Sequence, residues 1–329
     1  MAGEVRSREP AVAGTLPPGK VPVLALHRIR RSNARASSRL RGVAALLLVS
    51  VVACDERAAP RAGYELDDFG AVVELGRVPR RIVSLNPTTT EILFAPGAGP
   101  RLVGRTRWDL YPDSARLVPD LGDGLRPNVE AVLAVRPDLV VVYASEDNRA
   151  AARAFREAGI ATLALKVDRV AHFRRAATLL GRLTGDTARS RLVVDSVTRT
   201  LERVRAATAG APRVRAFWHV WDAPLLTVGA GSYMTELVDI AGGRNVYGHL
   251  AAVSPTVSIE DLLRRKPEVV LAGPAGRRHI LESTAWRGLA AVRAGRVLEV
   301  DTTLVGRPSV RLGEAAVHLA RLLHPELGL

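Results

Sequence analysis

The chain is 329 residues long, 47% hydrophobic and 24% charged, with a mean hydropathy of +0.09. That length corresponds to about two domains, and the composition excludes a single small scaffold, wholesale disorder and a polytopic membrane protein. A formal net charge of +14 would ordinarily raise nucleic acid as a partner, but Lys20, Lys166 and Lys266 are the only lysines. An excess built almost wholly of arginine in an Ala-rich chain reflects coding bias rather than phosphate recognition, and no nucleic-acid partner is expected.

Half of that excess precedes Cys54, where nine basic residues face only Glu4 and Glu9. The basic stretch 28–41 runs into GVAALLLVSVVA at 42–53. A basic flank, an apolar core and a small residue before a cut are the parts of a secretory signal. Twelve residues are too few to span a bilayer, which takes about 20. The run ends in Val51-Val52-Ala53-Cys54, with Cys54 the only cysteine. This ending resembles the lipobox of bacterial lipoproteins, so residues 1–53 are expected to be a signal segment and Cys54 the lipidated first residue of the mature chain. A plain signal peptide with an incidental cysteine and an uncleaved anchor are the alternatives. The polar residues 1–21 are long for the front of a signal, which points to a start downstream of Met1.

Residues 54–79 read as a tether followed by a hairpin over 64–75, with Asp67, Asp68 and Gly70 supplying the turn. Short β-branched runs then alternate with helical patterns. Strands are expected at 81–85, from 101 and at 139–143, and a helix at 129–135. Thr88 or Thr89 is expected to cap a helix whose Glu91 closes a Thr-x-x-Glu box. Two helices, 170–183 and 187–207, follow with no strand between them. In the second, Leu192, Val193, Val197, Leu201 and Val204 recur at three- and four-residue steps, the mark of an apolar face. Strands resume at 215–220, 269–272 and 296–300, with helices at 233–241 and 310–323. The pattern is an α/β fold of two Rossmann-like lobes with mainly parallel sheets: an N-terminal lobe over 80–185, a connecting helix over 186–208 and a C-terminal lobe over 209–329.

An internal repeat supports the two lobes. Glu130-Ala-Val-Leu-Ala-Val-Arg136-Pro137-Asp138-Leu-Val-Val matches Glu260-Asp-Leu-Leu-Arg-Arg-Lys266-Pro267-Glu268-Val-Val-Leu in residue class. In each copy a glutamate opens a helix, a basic residue and a proline end it, and an acidic residue leads into a buried strand. Two lobes of like construction leave a cleft between them.

No dinucleotide fingerprint, P-loop, zinc-protease motif or nucleophile elbow occurs, and the seven histidines have no ligand spacing. No catalytic residue, bound metal or cofactor is expected, although a two-lobed α/β enzyme with its site in the crevice is the rival of another class. His219 and His249 fall near the expected cleft. Glu130 and Glu260 suit the helix dipole and, one on each lobe, could also present paired charges to a basic partner.

Three stretches carry a resemblance: 79–93 (PRRIVSLNPTTTEIL), 102–112 (LVGRTRWDLYP) and 128–142, joined by 241–246 (AGGRNV) and 257–260 (VSIE). Together they resemble the metal-chelate substrate-binding proteins of ABC importers, most closely the cobalamin binders, over about 64–323. The resemblance implies a rigid backbone helix between two lobes, a ligand between them, a permease and its ATPase as partners, and a monomer held to the membrane by lipid on the periplasmic or extracytoplasmic side. It makes Glu130 and Glu260 the permease-docking carboxylates. It implies ligand contacts at Thr88, Trp108, Tyr143 and Arg307, to which the loop 221–233 adds Trp221 and Leu226. Two aromatic positions of cobalamin binders fall here on Gly124 and Ser254. A ferric siderophore or haem is the alternative cargo, for which Arg105, Arg107, Arg307 and His219 are the relevant side chains.

Overall fold

In the first α/β lobe, Ile82–Leu85 (β3) is buried along its whole length because it is the inner strand of a sheet covered on both faces. The structure, a computed structural model, describes residues 65–73 and 75–329. The expected signal segment, Cys54 and most of the expected tether therefore lie outside the described residues. The hairpin comes first, Glu65–Leu66 (β1) against Val72–Val73 (β2), with Leu66 opposite Val72. Asp67 closes its turn by accepting from the amides of Phe69 and Ala71.

Four parallel strands make the first sheet in the order β4-β3-β5-β6, where β4 is Leu102–Gly104, β5 Leu139–Tyr143 and β6 Ala161–Leu165. Its helices are α1 (Pro87–Phe94), α2 (Val129–Ala134), α3 (Glu146–Glu157) and α4 (Val170–Leu183). The second sheet repeats the plan as β10-β7-β11-β12, all parallel. Its strands are β7 (Val214–Trp218), β10 (Gly243–Asn245), β11 (Val269–Ala272) and β12 (Val297–Glu299); a small hairpin, β8 (Trp221–Asp222) with β9 (Leu225–Leu226), leaves the end of β7.

The connector is α5, Thr187–Thr208, a helix of 22 residues that spans about 33 Å at 1.5 Å per residue. Val197, Leu201 and Val204 are buried as the periodicity requires, whereas Leu192 is 67% exposed. Near its start the helix turns that position toward solvent, so the apolar face begins later than the three- and four-residue steps suggest. The remaining helices are α6 (Tyr233–Ile240), α7 (Ile259–Arg265), α8 (Pro274–Glu282), α9 (Ala290–Arg293), α10 (Thr302–Val305) and α11 (Leu312–Leu323).

One apolar cluster runs from Ile92 and Leu93 of α1 through Leu179 and Leu180 of α4 and Val197 and Leu201 of α5 to Leu237 of α6 and Leu312 and Leu319 of α11. Both lobes are thus packed on a shared core around the connector, and the described residues fall within one compact unit, Arg57–Leu329. Close-packed interiors of this kind resist continuous deformation.

The internal repeat is a repeat in three dimensions. Asn128 caps α2 by accepting from the Ala131 amide, and Ser258 caps α7 by accepting from the Asp261 amide. Arg136 and Lys266 both stand at φ 48°, a left-handed C-terminal conformation ahead of Pro137 and Pro267. Asp138 then accepts from the amide of Arg81, and Glu268 from the amide of Arg215, stitching each repeat to the first strand of its own lobe.

The expected Thr-x-x-Glu box at α1 does not form. Asn86 is the N-cap, accepting from the Thr88 amide at 2.9 Å, and Pro87 opens the helix. The box is lost because the helix starts two residues before a Thr88 cap would allow, which carries Glu91 past the third helical position the box requires and leaves it to Ser309 of the other lobe.

Candidate ligand-binding cleft

Parallel strands deliver their carboxyl ends to one edge of a sheet, where ligands of open α/β folds bind. The ends of β3 and β5 place Leu85 and Tyr143 there, the start of α1 adds Asn86, Pro87 and Thr88, and the segment after β6 adds Val167 and Asp168. With the loop 123–125 and with Tyr233 and Pro308 of the second lobe they line an open hollow of about 230 Å³ between the lobes. Larger hollows, such as one of about 680 Å³ along the outer face of α5 and one of about 640 Å³ beside the hairpin, lie away from the carboxyl ends of the strands.

Thr88 and Tyr143 are therefore brought together by the fold. The Tyr143 hydroxyl donates to Asp168 at 2.7 Å. Burial and then the Asp168 carboxylate hold this phenol well above its usual range, so it remains a neutral donor in a half-buried ring. Asp168 also ties the lobes, since its carbonyl accepts from the Tyr233 amide at 2.6 Å. The Tyr233 hydroxyl donates in turn to the Val305 carbonyl at 2.9 Å.

Trp108 does not line the hollow. It stands on an apolar rim with Leu110 and Tyr111, 54% exposed. Its loop is fastened beneath by Asp109, which is buried and accepts from Thr90 at 19 residues' separation and from Thr106. Burial raises the Asp109 carboxyl above its ordinary value, against the pull of those hydroxyls. Arg307 reaches the same loop from the second lobe, donating to the Trp108 carbonyl and lying 3.4 Å from the Glu91 carboxylate.

Trp221 and Leu226 are cross-strand partners on the β8–β9 hairpin, separate from the hollow; Trp221 is 62% exposed and Leu226 half-buried. His219, at the base of this hairpin, is buried, bonds Asp222 at 2.9 Å and packs edge-on against Trp286. Arg105 is occupied by the carbonyls of Ala115, Thr106 and Arg116 in its own loop. His249 stacks on Tyr247 beside another groove of the second lobe.

Gly124 stands at φ +81°, and a Cβ there would lie 2.5 Å from the Leu85 carbonyl oxygen and 2.7 Å from the Thr106 methyl. No side chain fits at this point, so the floor of the hollow is bare backbone. Asn148, fully buried, holds that floor by donating to the carbonyls of Gly124 and Tyr143 at 3.1 and 3.0 Å. Ser254 is exposed and donates to the Thr227 carbonyl at 3.2 Å.

Glu130 and Glu260 are exposed in the first turns of α2 and α7. Its own backbone amide and Ser258 hold Glu260 below the usual carboxylate range, so it is ionised at neutral pH. Sequence reasoning missed Glu91, Asp168, Tyr233 and Ser309. Glu91 was read from sequence as a helix cap, because nothing in its spacing points to Ser309 and Arg307 in the other lobe. Among the described residues no cluster of metal-ligating side chains occurs, and no helix is long and apolar enough to cross a membrane.

Comparison with known proteins agrees with this architecture. The family described as Periplasmic binding protein matches residues 82–304. The chain is 23% identical over 256 residues to the vitamin B12-binding protein of Vibrio parahaemolyticus, covering 76% of this chain and 92% of that protein. It is 28% identical over 289 residues to the cobalamin-binding protein of Halobacterium salinarum, covering 82% and 76% respectively. A periplasmic haem-binding protein from Pseudomonas aeruginosa has the same fold, with a TM-score of 0.68 at 24% identity over 75% of this chain and 93% of that one. The extent of the family match, together with two parallel-sheet lobes around a connecting helix, places this chain in the periplasmic binding protein family.

Proposed function

We propose that the protein is the lipid-anchored substrate-binding component of an ABC importer, which captures a cobalamin-like corrinoid between its lobes and passes it to the permease and its ATPase. It acts as a monomer, performs no covalent chemistry and carries no cofactor of its own. Cys54 bears the lipid and keeps the folded body on the periplasmic or extracytoplasmic side. The observation that supports the reading best is the aromatic cleft: a neutral Tyr143 inside it, exposed Trp108 and Tyr111 on its rim and a bare backbone floor at Gly124. A corrinoid presents a broad, largely apolar face, which aromatic rings cover while a few polar groups orient it.

A hollow of about 230 Å³ is smaller than the roughly 300–1,000 Å³ typical of small-molecule sites. The macrocycle therefore lies across the cleft, with only a peripheral group in the hollow against Thr88 and Tyr143. Trp108 covers one face, and Trp221 and Leu226 approach from the second lobe. Arg307 contributes at the rim, through its hold on Trp108. Glu130 and Glu260 present equivalent carboxylates to arginines of the permease. The vitamin B12- and cobalamin-binding relatives support this ligand class.

Haem or a ferric siderophore is the second reading, favoured by the fold shared with a haem-binding protein. Tyr143 is committed as a donor to Asp168, His219 is buried on Asp222, and Arg105 is engaged within its own loop. That leaves haem without a ready axial ligand, which favours the corrinoid over haem, whereas Arg107 stands exposed beside Asp123 of the hollow and is the cation a siderophore would use. Mixing the purified protein with cyanocobalamin or with haemin, desalting, and recording the visible spectrum tests the choice. Retained corrin absorbance supports the reading; retained haem absorbance alone overturns it.

A further inference from the structure

Glu91 is 2% exposed at the interface between the lobes, and among the described residues its carboxylate is met from the second lobe. Ser309, itself 1% exposed, donates to one oxygen, and Arg307 lies against the other at 3.4 Å. Burial raises the Glu91 carboxyl above its ordinary value, while the partner hydroxyl and guanidinium act against that rise. Replacing a buried ion pair by apolar residues of similar size is often neutral or stabilising, and Glu91 sits beside Ile92 and Leu93 in the shared core. An apolar side chain would have served packing alone.

The other end of Arg307 gives the pair a use. Its second guanidinium nitrogen donates to the Trp108 carbonyl, so one side chain of the second lobe grips both the first-lobe helix and the rim that carries Trp108. We propose that Glu91 is a positioning residue for ligand capture. It fixes the Arg307 guanidinium so that the planar fork holds the Trp108 backbone, thereby setting the height of the aromatic wall relative to the second lobe. Asp109 fixes the same loop from within the first lobe through Thr90 and Thr106. Trp108 is thus held from both sides of the cleft, and the aperture is a property of the Glu91–Arg307–Ser309 junction. This inference rests on the reading of the cleft as the ligand site.

The test uses three variants and two readouts. Arg307→Lys keeps a positive charge beside Glu91 but lacks the planar fork that spans Glu91 and the Trp108 carbonyl together. Glu91→Gln keeps an acceptor for Arg307 and a donor for Ser309, whereas Glu91→Leu keeps neither. Backbone hydrogen exchange of residues 107–111 reads the loop without any ligand, and the dissociation constant for cyanocobalamin reads capture. Exchange at 107–111 is expected to rise at least tenfold in Arg307→Lys and Glu91→Leu, with Glu91→Gln within about threefold of the native protein. Exchange in α5 and β5 stays constant, and cyanocobalamin affinity falls about tenfold in Arg307→Lys and Glu91→Leu. Native exchange at 107–111 in Arg307→Lys overturns the proposal, as does an equal rise across α5 and β5, which marks loss of the fold rather than of position. A native protein that binds no corrinoid while 107–111 still loosens in Arg307→Lys refutes the ligand reading and leaves the junction intact.

Discussion

Arg136 and Lys266 adopt the same left-handed conformation, φ 48°, at the ends of equivalent helices in the two lobes. That places Glu130 and Glu260, six residues before each, at matching points of matching helices, both exposed. A pair of like carboxylates held on a rigid frame is suited to engaging two basic sites at once, where the second contact is effectively intramolecular. Charge reversal at both positions, Glu130→Arg with Glu260→Arg, is expected to abolish ligand uptake into permease-containing vesicles while leaving ligand affinity within twofold. Uptake that survives both reversals refutes the docking role.

Gly124→Ala is expected to destabilise the protein by more than 2 kcal/mol. The left-handed backbone alone costs about 1–2 kcal/mol for a residue with a Cβ, and the new methyl meets the Leu85 carbonyl oxygen at 2.5 Å. Chemical denaturation measures the change; a loss below 1 kcal/mol means that the loop 123–125 relaxes and the floor of the hollow is soft.

Glu91 makes stability depend on pH in a direction opposite to that of an ordinary salt-bridged acid. Its folded-state carboxyl is raised from 4.5, so the native state binds the proton more tightly than the unfolded chain. Its contribution is fully present below pH 4.5 and is lost as pH rises from there through the raised folded value. Asp109, raised from 3.8 by burial, acts in the same sense from a lower starting point. Glu91→Gln is expected to remove part of this decline, so that the stability difference between variant and native protein grows in favour of the variant as pH rises from 4 to 7. A difference that is flat across this range contradicts the burial of an ionisable Glu91.

Much of the scaffold was legible because strong periodicity and the repeat encode it. Val269–Ala272 was read to the residue, and the 187–207 connector to within one residue of Thr208. The edge strand Gly243–Asn245 was missed, since Gly-Arg-Asn carries no β-branched signal and is recruited by pairing with β7. Helix α3 was missed for a similar reason: its sequence, EDNRAAARAFRE, buries only small residues, Asn148 and Phe155. Thr88 and Tyr143 were named from the family resemblance alone, and the fold sets both beside the hollow at the carboxyl edge of the first sheet. Glu91, Ser309, Asp168 and Tyr233 were not assigned to the site, because their partners lie in the opposite lobe and sequence spacing says nothing of a contact 218 residues apart.

Trp108→Ala removes a rim ring that is 54% exposed, so stability should change by less than about 1 kcal/mol, within the range of exposed substitutions. Ligand affinity should fall at least tenfold, equivalent to about 1.4 kcal/mol. Thermal melting and equilibrium binding of the same preparation separate the two effects, and an unchanged dissociation constant removes Trp108 from the ligand wall.

Calorimetric titration of the purified protein with cyanocobalamin, haemin and a ferric siderophore tests the central claim most directly. The account predicts one cyanocobalamin per protein with a dissociation constant of micromolar or tighter, about −8 kcal/mol, and much weaker binding of the other two. Cyanocobalamin binding no tighter than millimolar, about −4 kcal/mol, with saturable binding of haemin or the siderophore, contradicts it.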